Sequence, residues 1–276
     1  MEPVMARKMW RTLEPYHGIV YFAPEATAAY EALGVVGSDG YFASRAAPMG
    51  AVPAGVVVAT FFNFNPASVH EAIPSAWHVA TPAQLLEARL TAADQALRRV
   101  LGDQLDDQSV GRAAELARTA TEGCVAAGRP LYAAHASLPW PAEPHLTLWH
   151  AITLLREFRG DGHIVGLVDA GLDGIDALVL HAASGEVPRA VLQTSRQWDD
   201  ETWEASVAKL HDRGLVDDAG AFTDAGAARR QHIENRTDGL ALAPWEALGE
   251  EGCDELRTLV RPLSKAIVES GTFGFR

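Results

Sequence analysis

The sequence predicts a mainly α protein with a small β-hairpin in its C-terminal half. Three observations predict it. Apolar residues recur at three- and four-residue intervals along most of the chain, and alternating patterns are rare. Helix starts carry capping chemistry, most plainly at Thr81-Pro82-Ala83-Gln84, where Thr caps, Pro takes the first helical position and Gln closes a capping box. Between Leu215 and Thr223, an apolar pair, a turn with Asp218 and Gly220, and a second short apolar run have the form of a hairpin.

In order along the chain, a first helix is expected from about Val4 to Phe22, with Met9, Leu13, Ile19 and Val20 inward and a kink or break at Pro15. Pro24 and Glu25 open a second helix that runs through Leu33 and ends at Gly34. Tyr41 and Arg45 share a face if their segment is helical, and Pro48 and Gly50 end it. Val56 to Phe64 predicts a buried helix, followed by a loop at Asn63–Pro66 and another short helix. The helix capped at Thr81 runs to Leu101 and stops at Gly102; the next spans about Val110 to Ala127. Pro139, Pro141 and Pro144 mark a boundary, which gives two domains, 1–140 and 141–276. A helix over His145–Phe158 is expected to break at Gly160–Gly162, with short helices following at His163–Ala170 and Ile175–Ala183.

From Asp199 or Asp200 a helix carries Val207, Leu210 and Leu215 on one side and acids in its first turn, where the helix dipole favours them. Gly214 stops it, the hairpin follows, and Thr223 caps a helix with Ala227, Arg230 and Ile233. Helices over Asp224–Leu248 and Gly252–Ser270 close the chain.

Bulk properties set bounds. Of the 276 residues 48% are hydrophobic and 21% charged, an ordinary globular composition with ample material for a core. There is no run of about 18 apolar residues and no signal-peptide core at the start, so a membrane span is not expected and the setting is read as cytoplasmic. Cys124 and Cys253 fit no metal or redox spacing and are expected as buried thiols; no metal and no cofactor is predicted. Net charge is −13, unevenly spread: residues 1–150 hold 10 Lys and Arg against 14 Asp and Glu, and residues 151–276 hold 13 against 22.

The helix, hairpin and second helix around Leu215 resemble the MarR-like winged-helix proteins. The residues that carry the resemblance are Leu210, Arg213, Gly214, Leu215, Val216, Thr223 and Gly226. It implies an N-terminal helical domain joined to a winged helix-turn-helix with a β-hairpin wing, and a C-terminal helix pair of the kind that dimerises. The whole chain also resembles an actinobacterial family described only as helix-turn-helix. That likeness lies in Tyr41–Gly50, Gly128–His135, Leu154–His163 and Glu234–Gly249.

Three constellations carry candidate chemistry. His17, Tyr21, Tyr41 and Arg45 have the makings of a catalytic pocket, with Arg45 as a bidentate partner for an anion and His17 as a general base. The other reading makes the phenols and His17 core-edge residues and places Arg45 in an internal ion pair. Arg156, Glu157, Arg159, Asp161 and His163 crowd one helix end as ligand-binding candidates, or as a salt-bridged junction. Arg196, Lys209, Arg213 and Arg229 are the DNA-binding candidates. Against the last stands charge: residues 199–213 carry five acids with only Lys209 and Arg213, whereas DNA affinity rests on neutralising phosphates. No P-loop, dinucleotide fingerprint, nucleophile elbow or HExxH is present.

Two functions follow. One is a small-molecule-binding relative of winged-helix regulators, with an anionic ligand, DNA disfavoured as a partner, and a homodimer or a related subunit as assembly. The other is an enzyme of small-molecule or natural-product biosynthesis that uses the same fold as scaffold.

Overall fold

A computed structural model describes residues 1–106 and 108–274. Pro15 does not break the first helix: α1 (Val4–Gly18) continues through it and ends in a single 3-10 turn, Ile19–Tyr21. Four short helices follow α2 (Pro24–Ala32), namely α3 (Ser38–Ala46), α4 (Ala54–Phe61), α5 (Pro66–Ala72) and α6 (Ser75–Val79). The capping box forms at α7 (Pro82–Leu101), where Thr81 and Gln84 exchange bonds. α8 (Gln108–Thr121) stops short of the expected Ala127, because its last turn tightens into bonds such as Gly123 N–H to Ala120 O (3.1 Å).

After α9 (Pro130–Ala136) comes α10 (Pro144–Asp169), which runs unbroken through Gly160 and Gly162 where a break was expected. The glycine at 162 serves close approach instead. A Cβ there would lie 2.6 Å from Arg129 Nη1 and 3.3 Å from Leu240 Cβ. A helical glycine costs about 1 kcal/mol, and the contacts it admits offset that. α10 is shared by three hydrophobic clusters, the smallest being Leu154 and Phe158 with Tyr132 of α9. The largest joins Ile152 and Leu155 to residues from Ala6 to Ile267. The second joins Leu167 to Leu178, Leu192, Trp203, Leu210, Leu215 and Ile233.

That second cluster is the core of a helix-turn-helix. α11 (Gly174–Ala183) packs on α12 (Arg189–Arg196) and α13 (Asp200–Asp212), and Gln197 turns the corner between the last two at φ +60. Asp199 caps α13, its Oδ1 accepting from Thr202 N–H at 2.7 Å. Trp203 is buried, so it is core and not surface.

The expected β-hairpin wing is absent. Among the described residues there is no strand, only an isolated antiparallel bridge between Val216 and Phe222. The reason is length. Gly214 ends α13, and Thr223 already caps α14 (Asp224–Leu240), which leaves two apolar residues per arm. The side chain of Asp217 closes the turn, its Oδ1 accepting from Ala219 and Ala221 N–H at 2.9 Å each. The Thr223/Gly226 pair has its own physical reason: Thr223 Oγ1 accepts from Gly226 N–H at 3.0 Å, and a Cβ on Gly226 would overlap Leu215 O at 1.8 Å. The fold is therefore mainly α, without a winged module.

α15 (Ala243–Glu269) bends at Gly249, where φ is +78. Its apolar side, with Leu256, Val260, Leu263 and Ile267, is buried within the chain, and Ser264 Oγ donates to Thr12 O at 2.7 Å. It packs mainly on α1 and α8, and also on α7. No single helix among the described residues is long and apolar enough to cross a membrane.

Candidate functional site

The i, i+4 spacing of α1 and α3 sets two side-chain pairs side by side, and α10 runs behind both. Glu157 of α10 is the centre. It is 1% exposed and accepts from Arg45 Nε at 3.3 Å and Nη2 at 3.0 Å, and from Arg156 Nη1 at 2.9 Å. Burial alone would raise its pKa. The Arg156 and Arg45 guanidiniums outweigh burial and hold the carboxyl well below the usual range. Arg45 therefore sits in an internal ion pair and also donates to Tyr41 Oη at 3.2 Å.

The second pair is His17 and Tyr21. Thr153 Oγ1 donates to Trp149 O at 2.8 Å, so its oxygen is left to accept from His17 Nδ1–H at 2.9 Å. His17 Nε2 then accepts from the Tyr21 hydroxyl at 3.0 Å, and Tyr21 Oη accepts from Arg89 Nη2 at 3.0 Å. Burial, reinforced by Arg156 and Arg89, pushes the His17 pKa well down and keeps the ring neutral. Burial pushes Tyr21 up.

Tyr21 and Tyr41 both line one cavity of about 590 Å³, while His17 and Arg45 do not line it and are bonded to their hydroxyls. Such a volume suits a small organic molecule. Arg156 lines it, as do Trp10 and Glu14 of α1 and Phe64. Glu14 accepts from Trp10 Nε1 at 2.9 Å and lies 3.6 Å from Arg156 Nε, and burial raises its carboxyl pKa. Arg196, at the end of α12, forms part of the same wall with its guanidinium 4.6 Å from the centre of the Phe64 ring. Burial lowers the Arg196 pKa.

For Tyr41, burial acts upward, but Arg45, Arg196 and Arg156 together prevail and lower the phenol. Its ring is fixed among Tyr21, Phe42, Phe61 and Phe64, with centroids between 5.2 and 6.1 Å away.

The candidates on α10 divide. Arg156 and Glu157 join the cavity network, and the other three tie helices together. Arg159 pairs with Asp238 at 2.8 Å, which also holds Arg7 at 2.7 Å. Asp161 accepts from Tyr132 N–H at 2.9 Å, and burial pushes it up to about 6. His163 bonds Thr237 Oγ1 at 2.8 Å, and burial pushes it down to about 4. Among the described residues no group of three His, Cys, Asp or Glu is placed to hold a metal ion.

The DNA-binding candidates also divide. Lys209 is held at 2.7 Å by both Asp173 and Asp176, and Arg213 donates to Ala170 O and Gly171 O at 3.2 and 3.0 Å. Arg196 belongs to the cavity wall, and Arg229 is exposed. The exposed residues of α13 are Asp200, Glu201, Glu204, Ala205, Ala208, Lys209, His211 and Asp212, four of them acids against one lysine.

The three-helix arrangement around Trp203 agrees with comparison to known families: residues 6–274 match a model described as a helix-turn-helix family. The chain belongs to the helix-turn-helix family. The match takes in the cavity helices as well as α11 to α13, so both are parts of the family's chain. No curated protein and no solved structure matches.

Sequence reading missed Trp10, Glu14, Phe64 and Arg89. Three of these left a signal. Trp10 and Glu14 precede Gly18 and Tyr21 on one stripe of α1, and Arg89 falls four residues after Leu85 on the buried face of α7. A cation on an apolar stripe demands a partner.

Proposed function

We propose that this helix-turn-helix protein binds a small anionic molecule in the cavity between α1, α3 and α12. One observation carries the reading. Five guanidiniums reach the cavity wall or the side chains on it: Arg156 and Arg196 directly, the exposed Arg11 also directly though paired with Glu186 at 3.8 Å, Arg45 through Tyr41, and Arg89 through Tyr21. The carboxylates bonded among the other four are Glu157 and Glu14. Among the described residues Arg89 and Arg196 have no carboxylate partner, and their bonds go to Ser44 O, Tyr21 Oη and Ser195. In a half-enclosed apolar space an excess of positive charge favours an anion strongly.

The MarR-like part of the reading makes the ligand an effector of a regulator. The excess of acids on the exposed side of α13, with the exposed Lys209 paired to Asp173 and Asp176 and Arg213 bonded to backbone carbonyls, speaks for weak or lost duplex binding. A homodimer or a related subunit would need a surface other than the buried side of α15. The test is a set of small carboxylates and phosphates against their amides and alcohols at constant ionic strength, read as melting temperature. A saturable rise with the anions alone is expected; an equal rise with the neutral partners, or none with any anion, ends the reading. In parallel, duplex DNA from upstream of the gene is titrated in salt. No binding near physiological salt is expected, and saturable, steeply salt-dependent binding would restore the DNA-binding role.

A second reading, an enzyme of small-molecule biosynthesis in a cytoplasmic setting, is favoured by the fixed phenol of Tyr41 on the cavity wall.

A further inference from the structure

We propose that Tyr41 is the proton-transfer residue of the cavity, its oxygen taking a proton from an O–H or acidic C–H of an anionic small molecule held beside Arg156 and Arg196. The inference rests on the reading of the cavity as an anion site and gives content to the enzyme alternative. The broken O–H or C–H bond leaves its electron pair on the ligand, as an oxyanion or enolate next to the guanidiniums, and the proton rests on Tyr41 Oη until it is returned or lost to water. No other reagent is required.

The geometry argues for it in three ways. Tyr41 lines the cavity, and its Oη accepts from Arg45 Nη1 at 3.2 Å. Arg45 cannot turn away, because Glu157 holds Nε and Nη2 at 3.3 and 3.0 Å. The ring is wedged by aromatic neighbours, so the oxygen is held in place. The charged and titratable groups around it come from every side: Arg45 on its own helix, Arg156 and Glu157 on α10, Arg196 on α12 and Tyr21 after α1. Three are cations and one is an anion, so against the opposing effect of burial the phenolate forms more readily there than at an ordinary phenol. The other four tyrosines are set the opposite way. Burial raises Tyr16, Tyr21, Tyr30 and Tyr132. A general base works better the closer its pKa lies to working pH, and Tyr41 is the tyrosine whose surroundings move it in that direction.

The test needs no substrate. The near-ultraviolet phenolate band of the intact protein is followed as pH rises. With five tyrosines in the chain, the first step should carry one fifth of the full amplitude and occur below the ordinary phenol range. It should vanish in Tyr41→Phe, which keeps the ring. It should move to higher pH in Arg196→Gln, a half-buried position at the end of α12 whose loss leaves the Glu157 pairs intact. Sodium sulfate at constant ionic strength, as a non-titrating anion, should diminish the band saturably by screening the guanidiniums and drawing a proton onto Tyr41. If all five tyrosines ionise at or above the ordinary value, or the early step survives Tyr41→Phe, the proposal is overturned while the anion site stands on its own melting data. If the early step is present but neither sulfate nor any anion of that series binds, the phenolate survives and the anion site falls.

Discussion

Single residues set the chemistry of the buried network, and they also set how the protein responds to acid. Burial holds His135 at about 3 and His150 at about 4, and keeps His17 well below its ordinary value. The unfolded chain binds protons on all three from about pH 6.5 downward, whereas the folded chain does not. Their contribution to stability is complete above pH 6.5 and declines as pH falls, by up to about 1.4 kcal/mol per group for each pH unit. Asp161, pushed up to about 6, works in the other direction, because its folded form takes up a proton before the unfolded form does. Glu14, raised by burial, acts with Asp161, and His163, held at about 4, acts with the other histidines, so these four histidines stand against these two carboxyls and the balance is a loss. Urea midpoints should fall between pH 7 and pH 5, and a flat or rising profile would show that the histidines are not held neutral. At this scale much was legible. The pairs His17–Tyr21 and Tyr41–Arg45 follow from i, i+4 spacing and form as bonds of 3.0 and 3.2 Å. The Arg45–Glu157 pair, 112 positions apart, has no local signature.

At the scale of elements, capping chemistry was a dependable guide and glycine a partial one: Gly34, Gly102 and Gly214 follow helix ends as expected, and Gly160 and Gly162 do not. Thr81 and Gln84 form their reciprocal box, with Gln84 N–H to Thr81 Oγ1 at 3.3 Å and Thr81 N–H to Gln84 Oε1 at 3.0 Å. Thr81→Ala removes an acceptor from an exposed helix start and should cost about 1 kcal/mol, checked by urea denaturation. A cost near zero would mean that water replaces the hydroxyl. Gly160 and Gly162 carry the same letters as a helix stop, yet α10 passes through them, because glycine also marks where another side chain must come close. The hairpin failed for a reason of the same kind. Leu215-Val216 and Ala221-Phe222 have strand-like character, but two residues per arm between a helix end and a helix cap allow one bridge and no ladder.

For the whole molecule, the relation between the two larger clusters matters most. The segment after α4 clasps the helix-turn-helix corner: Asn65 N–H donates to Arg196 O at 3.0 Å, Asn65 Nδ2 to Gln197 O at 2.8 Å, and Trp198 Nε1 to Asn63 O at 3.0 Å. Beside it Gly174 opens α11 directly under Phe62 O, where a Cβ would lie 2.0 Å from that oxygen. Gly174→Ala forces backbone apart and should cost about 2 kcal/mol, in the range of overpacked sites; unchanged denaturation would mean the clasp is loose. The same clasp places Arg196 on the cavity wall, although its position next to a helix-turn-helix had suggested DNA. By itself the sequence determined the helical class, most helix starts, the acidic character of α13 and the two side-chain pairs, because each depends on residues within a turn or two of one another. Only the tertiary structure decided that α12 meets α1 and α3 around one cavity, that Glu157 joins two arginines, and that Lys209 is paired to Asp173 and Asp176 and Arg213 bonded to backbone carbonyls. Those outcomes depend on which distant helices share a core, and that is settled by how apolar surfaces and buried charges find partners across the whole fold.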